Sequence, residues 1–107
     1  MNETIFYKNR LRINRGELKN FKDLPEDVKI NFINIKNKII EIIDEKIEVQ
    51  VFGSYFHGFW DNESDYDVSI IKNINNETLK YIIAKLQIDY DIRVHIKITN
   101  RKTITIP

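Results

Sequence analysis

Three stretches of this chain alternate apolar and polar residues with a period of two, and the segments between them carry a helical period, so strands and helices must share one core. In the first, Ile47, Val49 and Val51 alternate with Glu48, Gln50 and Phe52 and lead to Gly53. In the second, Tyr66, Val68 and Ile70 stand opposite Asp65, Asp67 and Ser69. The third runs from Tyr90 to Ile98, where Ile92, Val94, Ile96 and Ile98 alternate with Asp91, Arg93, His95 and Lys97. Before the first strand, Val28, Phe32, Ile35, Ile39 and Ile42 recur at steps of four and three and predict an amphipathic helix. Asp23-Leu24-Pro25-Glu26 reads as its start, with Asp23 as a cap and Pro25 tolerated in the first turn. Leu79, Ile82, Ile83 and Leu86 predict a second, shorter helix capped by Asn76, and Thr103 to Ile106 a short edge strand.

The resulting order is helix, strand, strand, helix, strand. It predicts an α/β (α+β) two-layer domain: a small mixed sheet with helices packed on one face. At 107 residues and 42% hydrophobic content, the chain fits a single domain over 1–107. Residues 1–24 are the least defined part. Leu11 and Ile13 alternate with Arg10, Arg12 and Asn14 in a strand-like pattern ending at Gly16, and the basic residues Lys8, Arg10, Arg12, Arg15, Lys19 and Lys22 are expected on a solvated surface.

A formal charge of +1 excludes the whole-molecule field that gathers nucleic acid or an anionic membrane, so nucleic acid is not the expected partner. Without cysteine there are no disulfides or thiolate metal sites. No apolar run approaches the roughly 18 residues of a membrane span, and Met-Asn-Glu-Thr does not open a signal peptide. The expected location is cytoplasmic.

Because side chains alternate across a strand, Asp65 and Asp67 project from one face, roughly 7 Å apart by strand rise. Two such carboxylates suit Mg²⁺, which takes one or two protein carboxylates and completes its shell with water and substrate phosphate. A strand ending in Gly53-Ser54 can turn tightly and present backbone N–H groups and a hydroxyl to phosphate.

The run Val51-Phe52-Gly53-Ser54, ten residues, Asp65-Tyr66-Asp67, with a second glycine at Gly58 and Ser64 before the first aspartate, resembles the signature of the DNA polymerase beta type nucleotidyltransferase superfamily. The spacing is similar to that of its minimal members. The resemblance implies a polymerase beta palm-like fold, with Asp65, Asp67 and a third carboxylate on the strand after the next helix holding two Mg²⁺ ions. Asp91, at the head of the third alternation, is preferred to Asp89 for that third position and could also accept the proton of the acceptor hydroxyl. Gly53, Ser54, Ser64 and Arg93 would bind the nucleotide, ATP. The resemblance implies a HEPN-type RNase toxin as partner, since minimal members are commonly antitoxins of such toxins, in some cases by transferring AMP from ATP to a tyrosine of the toxin. Two rivals stand beside this: a catalytically inactive module of the same fold, and an enzyme modifying a small molecule such as an antibiotic. Of the remaining residues, His57 is expected on the surface, Tyr55, Phe56, Phe59 and Trp60 against the core, and His95 on the face of Arg93.

Overall fold

A computed structural model describes residues 3–107. Its centre is a four-stranded sheet in the order β5 (Val94–Ile98), β4 (Tyr66–Ile70), β3 (Gln50–Phe52), β6 (Ile104–Thr105). β3 is antiparallel to both β4 and β6, while β4 and β5 run parallel, as a crossover helix between them requires. That crossover is α3 (Asn76–Tyr90); α1 (Glu26–Ile43) precedes the sheet, and a short α2 (Gly53–His57) starts directly at the end of β3.

The periodicities explain the layering. Val28, Phe32, Ile35 and Ile39 of α1 and Ile82 and Leu86 of α3 are buried in one cluster with Val49, Val51, Val68, Ile70 and Val94 of the sheet. Since these residues fall on alternate positions within each strand and the register sets Val51 beside Val68 and Val68 beside Ile96, the helices cover one face, as the alternation predicts. The opposite face carries the other parity, including Asp67, Ser69, His95 and Lys97. Phe32 is the hub of the aromatic packing, with Phe21, Tyr55 and Tyr66 all meeting its ring edge-on at centroid distances of 6.3, 5.3 and 4.9 Å.

Several boundaries differ from the periodic reading. Asp23 does not cap α1. It lies in a 3-10 turn, Phe21–Asp23, and the cap is Pro25, whose carbonyl accepts from Lys29 N–H at 2.9 Å. Proline's fixed φ is enough to start the helix without a side-chain cap. α3 is capped by Asn75, whose side chain accepts from Thr78 N–H at 2.8 Å, and it continues to Tyr90, four residues past Leu86. β5 therefore starts only at Val94.

The larger surprise is in the first residues. Glu3–Tyr7 (β1) and Arg10–Asn14 (β2) form an antiparallel hairpin, a separate two-stranded sheet. The apolar residues of β2 point outward, with Leu11 73% and Ile13 47% exposed, whereas Arg12 is buried. The expected solvated basic surface holds for Lys8, Arg15, Lys19 and Lys22, which are exposed, but not for Arg12, which is buried, nor fully for the half-buried Arg10.

Phe32→Ala removes the aromatic hub from a fully buried position, and it should cost about 3–5 kcal/mol in urea-induced unfolding. Leu11→Ala, on the outward face, should change stability by less than about 0.5 kcal/mol.

Candidate active site

The end of β3 sets the site. Phe52 pairs with Asp67 in the antiparallel ladder, so the next residue, Gly53, turns directly over the Asp67 side chain. Gly53 has φ +63, and a β-carbon there would overlap the Asp67 carboxylate. Glycine meets both demands, the left-handed backbone and the close approach. Ser54, 2% exposed, follows in the first turn of α2. Gly-Ser and Asp-x-Asp, ten residues apart in sequence, are therefore one contact in space.

Asp65 and Asp67 share a face, and His95, paired with Asp67 across the parallel ladder, spans them: Nδ1 lies 3.2 Å from Asp67 Oδ1 and Nε2 3.5 Å from Asp65 Oδ2. Arg93 Nε lies 3.2 Å from Asp65 Oδ1. Burial pushes the Asp67 carboxyl above the usual carboxylate range, against the attraction of Lys8 and His95 and helped by repulsion from Asp65.

Asp91 is not with them. It is the left-handed C-cap of α3, with φ 55, and its carboxylate accepts from Gln87 Nε2 at 2.7 Å. It lines a cavity of about 630 Å³ with Asn31, Trp60 and Arg93, and neither Asp65 nor Asp67 is among that cavity's lining residues. Asp89 is engaged by Lys38 and Lys85 at 3.0 and 3.5 Å. The reason is register: parallel pairing starts at Tyr66 with Val94, so the residues beside the aspartates are Arg93, just before β5, and His95 within it. Among the described residues, no group of three or more His, Cys, Asp or Glu side chains is arranged to hold a metal ion. Two adjacent carboxylates remain an adequate oxygen donor pair for Mg²⁺ when the nucleotide supplies the rest.

Ser64 is tied down rather than free. Its hydroxyl accepts from Asp61 N–H at 2.8 Å and from Arg12 Nη1 at 3.0 Å, which fixes the loop that delivers Asp65. The hairpin is the other half of this arrangement. Arg10 donates two bonds to Asp61, at 3.0 and 2.8 Å, and Arg12 Nη1 also donates to the Phe59 carbonyl at 3.1 Å. Arg15 lies over the Trp60 ring at 3.8 Å, and Arg15 N–H donates to the Gly58 carbonyl at 2.9 Å. Gly58, φ +88, packs on Gly16 so tightly that a β-carbon would strike the Gly16 carbonyl. The second glycine thus serves the hairpin. Of the loop aromatics, Tyr55 and Phe56 are buried; Trp60 is half-buried and stacks on Tyr55 at 5.2 Å. The signal for the hairpin's role was present in the sequence as arginines sharing one parity, at 10 and 12.

Against known sequences, residues 33–106 match the nucleotidyltransferase domain family, and the chain belongs to that family. No curated protein and no solved structure gives a significant match. No helix is long and apolar enough to cross a membrane, among the described residues.

Two outcomes follow. The bonds from Arg10 hold Asp61 down at about 2, from an ordinary value of 3.8, so its ionic contribution to stability is complete above pH 4 and disappears as pH falls through 2. The fluorescence of Trp60, the single tryptophan, should report the hairpin loosening over that interval, and Asp61→Asn should cost no more than about 1 kcal/mol at neutral pH, the pair being partly screened by solvent, and abolish the acid transition. Asp67 has the opposite sign. Its raised folded-state value means that its charge opposes folding once the pH exceeds that value, so Asp67→Asn should raise the melting temperature of the metal-free protein at neutral pH.

Proposed function

We propose that the chain is a metal-dependent nucleotidyltransferase that moves AMP from ATP to a hydroxyl group of a partner protein. The observation that carries this is the packing of Gly53 on Asp67, which joins a phosphate-binding turn to a carboxylate pair. Asp65 and Asp67 would hold Mg²⁺, which supplies charge neutralisation at the phosphates. Gly53 and Ser54 take the phosphate tail, and Arg93 is close enough to Asp65 to serve the same anion. In the transfer, the acceptor oxygen forms a bond to the α-phosphorus, the bond from that phosphorus to the bridging oxygen breaks, and pyrophosphate leaves with the electron pair. Since Asp91 caps a helix, the group beside the aspartates able to accept the hydroxyl proton is the His95 imidazole.

A partner protein as acceptor, in the manner of a toxin modified by its antitoxin, is the reading that family resemblance supports. The exposed apolar side of the hairpin, Phe6, Leu11 and Ile13, offers such a partner a contact surface close to the cleft. A second reading has its own support. The positions beside the aspartates, just before and within β5, carry Arg93 and His95 instead of a third carboxylate, which suits a member of the fold that has given up catalysis and neutralises its partner by binding.

The discriminating experiment incubates the protein with ATP labelled on the α-phosphate, Mg²⁺ and the product of the adjacent gene. Transfer of α-label but not γ-label to that protein, reduced at least about a hundredfold by Asp67→Ala, is the expected result. Tight binding of the partner with no label transferred would establish the binding module instead.

A further inference from the structure

We propose that Lys8, at the tip of the N-terminal hairpin, binds the phosphate tail of the nucleotide and that the hairpin exists to station it there. The inference builds on the nucleotidyl-transfer reading. It concerns a segment outside the residues that match the family.

Position comes first. Lys8 lines two adjoining cavities, one of about 400 Å³ with Ser54 and Asp65, the other of about 320 Å³ with Gly53, Asp67 and His95. It is the hairpin residue that lines both of them. Its field is felt by Asp67, yet among the described residues it forms no ion pair.

Availability is the second point. Arg10 and Arg12 also border the larger cavity, but both are committed to Asp61, and Arg10 to Glu63 as well. Arg93 is engaged by Asp65 and by the Glu63 carbonyl. Among the four cations around this cavity, the exposed ammonium of Lys8 is the one not engaged by a carboxylate, and a divalent cation on the aspartates would relieve it of its remaining attraction to Asp67. Lys also suits phosphate as a compact point charge on a flexible stem.

The third point is backbone cost. Lys8 and Asn9 have φ 50 and 67, the two left-handed residues of a two-residue hairpin turn in which Tyr7 pairs with Arg10. Asn and Gly take these positions easily; lysine does not, and an unfavourable residue held at a cleft by well-bonded flanks is a mark of use rather than of stability. The flanks here are unusually firm, with Arg12 buried beneath the turn and Gly16 locked on Gly58.

The test measures binding of MgATP and of inorganic tripolyphosphate to the full chain by calorimetry, with Mn²⁺ binding alone as a separate arm. Lys8→Ala should weaken both phosphate ligands about tenfold and leave Mn²⁺ binding undiminished, and Lys8→Arg should restore most of the loss. Lys8→Gly should lower phosphate affinity equally while raising the melting temperature, a combination that a purely structural lysine would not produce. Lys102→Ala, which removes the same charge beside Glu48, should change nothing. Undiminished MgATP binding in Lys8→Ala and Lys8→Gly, with the wild type binding normally, overturns the role of Lys8 and leaves the enzyme reading intact. Failure of the wild type to bind MgATP at all overturns both.

Discussion

Asp67 leaves no room for a side chain at residue 53, and much of the molecule follows from that one exclusion. The antiparallel register that pairs Phe52 with Asp67 brings the two together, and the glycine permits the left-handed step by which β3 passes straight into α2. A residue with a β-carbon would have to part β3 from β4, and since β4 is central, β5 with it. Backbone geometry and chemistry are therefore satisfied by the same atom that is missing. The half-buried carboxylate is the counterpart: desolvation makes its charge unfavourable, and a bound cation is the natural relief.

Around this contact the charges are arranged in layers. Asp61 binds Arg10 and lies 3.6 Å from the buried Arg12, and Arg93 and His95 border Asp65. Neither Arg10 nor Arg93 is deeply buried, so their ion pairs contribute modestly to global stability. Their effect is local. They fix where the loop of residues 58–64 runs, and with it where Asp65 emerges. Arg12 is the exception, being nearly inaccessible: its Nη1 bonds Ser64 and the Phe59 carbonyl, while its buried Nε has no hydrogen-bond partner and relies on the Asp61 carboxylate 3.6 Å away.

Most of the fold was legible in the sequence because the apolar periods are strong where the sheet and helices bury one face. Val28, Phe32, Ile35 and Ile39 pack as their spacing requires, and the parity of β4 puts Asp65 and Asp67 together. What alternation does not encode is where pairing begins. Ile92 belongs to the apolar series of β5 and is buried, yet it precedes the strand, and Asp91 before it ends a helix. Hydrophobic order alone cannot tell a strand from the approach to one. The hairpin inverts the usual rule, burying arginine and exposing leucine, because its inner face meets a loop of carbonyls and a carboxylate rather than the apolar core. That could be read only with the loop already in place.

The match to the family starts at residue 33, in the middle of α1, whereas the packing and hydrogen bonding around the site reach further upstream. Val28 and Phe32 sit before that point and are among the best-buried side chains, and the hairpin further upstream shares hydrogen bonds with the loop carrying Ser64. The matched pattern and the packed structure thus have different borders. A fragment cut to the shared pattern would keep every recognisable motif residue and lose Phe32, the hub of the aromatic packing.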